Sequence, residues 1–200
     1  MTQLARHDAP GRMPLPEFLA WETAQPLRHE RVGGTVWAIT GGTLNHNRIA
    51  LNLFSALRSR LRGTACEAFA LDVRVVTPPP SEDVMYPDVV VVCGEGRGAE
   101  TDVRDPTVIA EVLSPGTMAR DHGFKRWAYG TIPTLKHYVL VAQDRPEAEV
   151  ATADGEIWRS VVLRDATASL RLDALGLEIP LAEVFAGVDL TPEEPQAGQA

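Results

Sequence analysis

Cysteine is nearly absent from this chain: Cys66 and Cys93 are the two it has, with no CxxC pairing and no neighbouring ligand cluster. That excludes a disulfide-framework mini-protein and leaves a zinc site without support. A disulfide between the two stays open, but two buried or half-buried thiols are the expectation. Long apolar runs are missing as well. No stretch approaches the roughly 20 apolar residues that span a bilayer, and the opening MTQLARHDAPGRMP lacks the continuous apolar core of a signal peptide. A cytoplasmic protein with no membrane partner is therefore expected. Positive charge is scarce too. Against 27 Asp and Glu stand 19 Lys and Arg, a net charge of −8, which argues against nucleic-acid binding through a broad basic surface. A localised site is compatible with that balance, because a metal-binding centre is itself rich in carboxylates. There is no internal repeat, no GxSxG nucleophile motif, no recognition helix and no zinc module.

What is present suits one globular domain. Two hundred residues can bury a substantial core without disulfide help, and 44% hydrophobic with 23% charged residues is the balance of a folded chain. Residues 1–12 have no apolar period and read as a disordered arm. Residues 13–188 read as a single domain, and 189–200, ending in TPEEPQAGQA, as a flexible acidic tail. Pro14 and Pro16 open a short helix in LPEFLAWE. Gly33-Gly34 suggests a tight hairpin inside HERVGGTVWAITGG. LNHNRIALNLFSALRSRLRG is the clearest helix, with Ile49, Leu53, Leu57 and Leu61 at four-residue spacing, Asn45 as a candidate N-cap and Gly63 as a C-cap. EAFALDVRVV alternates like a half-exposed strand, whereas YPDVVVVC and TVIAEVLS are nearly continuous apolar runs, as in strands covered on both faces. A second helix is expected from about Thr117 to Tyr129, then the strand LKHYVLVAQ, a hairpin turning at Asp154-Gly155, and a closing strand and helical turn in LEIPLAEVF. The order predicts a mixed α/β domain with a central sheet.

Glu111 is the most informative residue, because it lies inside the apolar run Thr107–Leu113. A carboxylate on a buried strand costs several kcal/mol unless a cation or hydrogen-bond donors compensate it. A glutamate at the strand edge facing water is the alternative. Asp88 opens the preceding apolar run, and adjacent strands can bring both carboxylates to a shared end. There they repel unless they share a proton or a divalent cation, and oxygen-only ligands favour Mg²⁺ or Mn²⁺ over zinc. Asp121, Lys125 and Tyr129 repeat at i, i+4 and i+8, forming one helical stripe that can pass over the Glu111 strand end; a solvated Asp121–Lys125 pair is the plainer reading. Tyr129 and Trp127 read as packing residues.

HERVGG near Glu30, GGTLNHNRIALNL around His46, YPDVVVV, AEVLSPGT, RDHGFKRWAYG, IPTLKHYVLV and the GEIWRS hairpin resemble the Uma-type putative restriction endonucleases, a domain of unknown function within the PD-(D/E)XK nuclease superfamily. The resemblance covers roughly residues 13–188. It implies a restriction-endonuclease-like mixed central β-sheet flanked by helices. It also implies a metal held by Asp88 and Glu111, with the backbone carbonyl of Val112 joining the shell. The superfamily's usual lysine lies two residues beyond the glutamate, where this chain has Leu113; Lys125 is the matching position on the next helix. Glu30 matches an early acidic position that contacts a metal or its water, with a capping or surface role as the alternative, and His46 is catalytic or structural. The expected activity is Mg²⁺- or Mn²⁺-dependent hydrolysis of phosphodiester bonds, in DNA, by a homodimer. The competing expectation is a nuclease-fold module that binds or dimerises without cutting. A small-molecule hydrolase built on His46 lacks a nucleophile motif.

Overall fold

The proline and glycine punctuation sets the first elements. In the computed structural model, which describes residues 12–39, 41–94, 98–114, 121–155 and 157–190, Pro16 occupies the first turn of α1 (Leu15–Thr23), where a missing N–H costs nothing. Gly33 and Gly34, at φ 58° and 80°, turn β1 (His29–Val32) back on β2 (Thr35–Ala38). The long helix α2 (Leu44–Arg60) buries Ile49, Leu53 and Leu57, as their spacing predicts. Its N-cap is Thr43, not Asn45. The Thr43 Oγ1 accepts from the His46 N–H at 3.1 Å, whereas Asn45, already inside the first turn, exchanges hydrogen bonds with the Asp189 backbone. A capping oxygen must sit just outside the first turn to reach an N–H three residues on. At the other end Leu61 is the C-cap, and Gly63 takes its positive φ two residues later.

Next come β3 (Cys66–Ala70), β4 (Arg74–Val76), β5 (Val84–Met85), β6 (Val89–Cys93), β7 (Asp102–Val103) and β8 (Pro106–Leu113). EAFALDVRVV is thus two strands rather than one. Leu71 and Asp72 both adopt left-handed backbone, at φ 61° and 56°, and the chain leaves one sheet for another between them. Alternating side chains report strand-like sequence but not a reversal of the backbone beneath it. The second expected helix also differs. Its residues 117–120 lie outside the described residues, and a π-helical turn, Asp121–Lys125, then runs into the short α3 (Arg126–Tyr129). The chain closes with β9 (His137–Ala142), β10 (Ala148–Asp154), β11 (Ile157–Leu163), β12 (Ser169–Leu172), β13 (Leu177–Pro180) and α4 (Leu181–Val184). The hairpin at Asp154-Gly155 and the final strand and helical turn appear where expected.

Among the described residues the central sheet has six strands, in the order β11-β10-β9-β8-β6-β3. It is mixed, because β8 and β9 run parallel while its other pairs are antiparallel. The sequence did not anticipate a second sheet of five strands, β2-β1-β5-β4-β7, nor the small pair β12-β13. Alternation sorts the central strands onto two faces. Val89, Val91, Val108, Ala110, Val139 and Val141 pack with Ile49, Leu53 and Leu57 of α2. Val90, Val92, Ile109 and Leu140 pack with Tyr129 and with Val75 and Met85 of the second sheet.

The expectation of two separate thiols is overturned. Cys66 and Cys93 are register partners across β3 and β6 and form a disulfide. Their side chains emerge at one place only because the antiparallel register sets them opposite each other, which a 27-residue separation does not reveal. The first 11 and last ten residues of the expected arm and tail lie outside the described residues.

Candidate active site

Glu111 sits on the β8 face shared with Ile109 and Leu113, the face turned toward the second sheet, and is 4% exposed. Register explains its company. Val89 pairs with Ala110, so one step further the antiparallel ladder sets Asp88 beside Glu111. Asp88 Oδ2 accepts the Val112 N–H at 2.7 Å, which pins the carboxylate to the neighbouring strand. The observed contact of Val112 is therefore its N–H.

Compensation for the buried Glu111 comes from the helical turn. Lys125, 3% exposed, donates from Nζ to Glu111 Oε1 at 3.0 Å and lies 2.9 Å from Glu30 Oε1. Tyr129 OH donates to the same Glu111 oxygen at 3.1 Å. Lys125 and Tyr129 thus converge as their four-residue spacing predicts; the side chain of Asp121, the third member of that stripe, lies outside the described residues. Burial, reinforced by the charges of Glu111 and Glu30, pushes the Tyr129 phenol well above its ordinary range, so it stays a neutral donor.

Glu30 faces inward from β1 and is 2% exposed, so a surface role is excluded. Besides meeting Lys125, its Oε1 accepts the Tyr86 N–H at 3.2 Å. The Tyr86 phenol donates to the buried Glu22 at 2.7 Å, and burial followed by that hydrogen bond pushes its pKa upward. Glu22 also meets Arg74, which pairs with Asp102. His46 Nε2 lies 3.4 Å from Asp88 Oδ2. It fits there because Gly42 has no side chain: a Cβ would come within 2.9 Å of the imidazole.

Glu30, His46, Asp88, Glu111, Val112 and Lys125 all line one cleft of about 380 Å³, roofed by the start of α2 and bordered by Tyr86, Ser114 and Gln143. A more open depression of about 490 Å³ at the Gly33-Gly34 hairpin has no carboxylate in its lining, and another of about 470 Å³ at Glu100, Asp102 and Asp105 has carboxylates but no lysine or histidine; the smaller cleft gathers carboxylates, an ammonium and an imidazole. Among the described residues no group of three His, Cys, Asp or Glu side chains is disposed to hold a metal by itself. The oxygen donors of Asp88 and Glu111 are hard ligands suited to Mg²⁺ or Mn²⁺ once a backbone carbonyl and water complete the shell. Three carboxylates with one ammonium also leave an acidic balance that a divalent cation would offset.

Sequence reasoning placed Tyr129 on the correct stripe but read it as packing alone. It packs on Tyr138, with ring centroids 5.4 Å apart, and also holds Glu111. Tyr86 was missed, because its backbone N–H makes the contact and no sequence signal marks that. Trp127 does not pack into the core: it is 62% exposed and meets Phe124 edge-on at 6.1 Å.

Comparison with known proteins agrees with this architecture. The chain is 29% identical over 173 residues to the uncharacterized protein slr1290 of Synechocystis, covering 86% of this chain and 90% of that protein. It is 34% identical over 130 residues to the uncharacterized protein sll1609 of the same organism, covering 64% and 73%. The fold resembles the crystal structure of a putative nuclease belonging to DUF820 from Anabaena variabilis, with a TM-score of 0.71, 16% identity, and coverage of 86% of this chain and 97% of that one. Residues 15–182 match the profile of the Uma2 family, described as "Putative restriction endonuclease", and the chain belongs to that family.

Proposed function

We propose that the protein hydrolyses phosphodiester bonds in DNA with the help of Mg²⁺ or Mn²⁺ bound in the Asp88–Glu111 cleft. The observation that carries this reading is the meeting of Glu111 and Lys125 at 3.0 Å, beside Asp88, although the lysine comes from a different element than in the superfamily pattern. Asp88, Glu111 and the Val112 carbonyl would hold the cation, which when bound supplies Lewis acidity toward a phosphate oxygen and toward water. Lys125 Nζ places positive charge in the cleft, where it stabilises negative charge building on the phosphate. Glu30 holds that ammonium from the far side, and Tyr129 fixes the Glu111 oxygen that Lys125 also contacts. In the reaction a water oxygen bonds to phosphorus as the P–O ester bond breaks. The water gives up one proton to solvent, and the departing oxygen takes one.

The test is cleavage of duplex and single-stranded DNA with Mg²⁺ or Mn²⁺ and with chelator, using wild type and Glu111→Gln. Metal-supported cleavage that disappears in the variant, with folding retained, is expected. Equal cleavage by both would sink the assignment. A second reading, a nuclease fold that binds without cutting, has one observation in its favour: Lys125 is already engaged by two carboxylates. Calorimetry separates the two, since an inert scaffold has no need of Mn²⁺ affinity that Asp88→Asn abolishes.

A further inference from the structure

The helix that roofs the cleft carries an unusual charge pattern. From Leu44 to Arg62, two residues past its end, the segment has Arg48, Arg58, Arg60 and Arg62 and not one Asp or Glu, in a chain whose net charge is −8. Arg60 is neutralised by Glu183, with Nη2 to Oε2 at 2.6 Å. Arg48, Arg58 and Arg62 are exposed, and none of them has a carboxylate partner among the described residues. The contrast with the rest of the surface is informative. Arg28, Arg126, Arg145, Arg159, Arg164 and Arg171 each pair with an acidic side chain. Arg12 and Lys136 are exposed without such a partner among the described residues as well, so what marks this helix is the clustering of three such guanidiniums along it.

Their placement points to the site. At 100° per residue, Arg48 and Arg58 fall within about 80° of arc, opposite the buried Ile49–Leu53–Leu57 face, and Arg62 follows directly after the C-cap Leu61. Asn47, which lines the catalytic cleft, stands about 20° from Arg58 on that wheel and about three turns before it. The basic stripe therefore starts at the cleft margin and runs away from it. Arg48 to Arg58 spans about 15 Å, or about four nucleotides of one strand at roughly 3.4 Å each.

We infer that the exposed face of α2 is a phosphate-backbone tracking surface: Arg48, Arg58 and Arg62 hold the nucleic-acid strand on one side of the bond positioned over Asp88 and Glu111. This rests on the proposed function, and it assigns binding to a localised stripe on a protein too acidic to bind nucleic acid over its whole surface. Phosphate contacts of this kind position a strand without reading sequence.

The test is fluorescence anisotropy with a labelled DNA duplex of about 24 base pairs in chelator, comparing wild type, the triple variant Arg48→Gln/Arg58→Gln/Arg62→Gln, and the control triple Arg159→Gln/Arg164→Gln/Arg171→Gln. The α2 triple is expected to bind at least about tenfold more weakly, with the slope of log K against log salt reduced by about 0.9 for each phosphate-contacting arginine. The control, which removes equal charge elsewhere, is expected to bind like wild type. Equal weakening of both triples, or of neither, overturns the inference. So does a loss by the α2 triple of binding to phosphatidylserine vesicles with duplex affinity unchanged, which would make the face, with its exposed Leu44 and Leu51, a membrane surface. The catalytic reading fails separately. If Glu111→Gln cleaves like wild type while the α2 triple loses duplex binding, the surface stands and the chemistry falls; the reverse result spares the chemistry alone.

Discussion

Lys125 is held by Glu30 at 2.9 Å and Glu111 at 3.0 Å in a site almost closed to water. Replacing it by Met leaves two buried carboxylates facing each other, and removal of one partner from a buried charge cluster costs about 3–5 kcal/mol. Lys125→Met is therefore expected to lower stability by that order in urea unfolding, whereas Lys125→Met/Glu30→Gln recovers part of it. No recovery in the double variant would show that Glu30 is not the lysine's partner. Tyr129 gives a second test. Its phenol is held above the ordinary value of 10.0, so below that pH folded and unfolded chains carry the same proton. Above about pH 10 the unfolded chain releases it and the folded chain does not, and stability falls by about 1.4 kcal/mol per pH unit for this group. Tyr129→Phe is expected to remove that part of the alkaline slope; an unchanged slope would place the titration elsewhere. His137 works at the other end. It accepts the Ala174 N–H on Nε2, so Nδ1 carries the proton donated to Thr152 Oγ1. Burial lowers its pKa from 6.5, partly opposed by Asp173. The unfolded chain therefore takes up a proton first as pH falls, and stability is lost below about 6.5 toward the lowered folded value. Unfolding midpoints compared at about pH 7 and about pH 5.5 are expected to drop in wild type and less in His137→Gln.

At the scale of elements, the site depends on where segments end. The Gly41-Gly42-Thr43 entry to α2 sets His46 against Asp88, with Thr43 capping the helix and Gly42 leaving room for the ring. Gly42→Ala puts a carbon 2.9 Å from the imidazole and is expected to displace it. A crystal structure of the variant should show His46 Nε2 moved out from its 3.4 Å contact with Asp88 Oδ2. An unmoved ring would mean that the loop, not the histidine, yields. Much of this was legible in advance. The buried runs of β6 and β8 read as such, Glu111 stood out as a carboxylate among apolar neighbours, and Lys125 and Tyr129 shared a stripe. The break at Leu71-Asp72 was not legible, because left-handed backbone in two non-glycine residues runs against their intrinsic preference and is imposed by the two sheets they join. The π-helical turn was hidden for a similar reason: it shifts hydrogen-bond partners without altering the apolar pattern.

At the scale of the whole molecule, two sheets share one core face, and the cleft opens where β1 of one meets β6 and β8 of the other. The disulfide ties the edge strand β3 to β6 near the ladder end remote from Asp88. Thiol titration in denaturant is expected to find no reactive cysteine before reduction and two after it. Closing a loop of 27 residues contributes about 3.5 kcal/mol in the chain-entropy account, so reduction should lower the unfolding midpoint. Two free thiols in the purified, unreduced protein would contradict the pairing. Among the described residues no helix is long and apolar enough to cross a membrane, in keeping with the absence of long apolar runs.

The sequence by itself determined the mixed α/β class, the hairpins at Gly33-Gly34 and Asp154-Gly155, the core face of α2, and the family, since each follows from local periodicity, turn chemistry or ordered motifs. It also marked Glu111, with Asp88 beside it, as a carboxylate in need of compensation, and the family resemblance pointed to Lys125 and Glu30. Only the tertiary structure decided who those partners are. Strand register set Asp88 beside Glu111 and Cys66 against Cys93, and the packing of the second sheet brought Glu30 to Lys125. Such pairings join residues tens of positions apart, and their free energy comes from burial that exists only once both sheets have closed on each other.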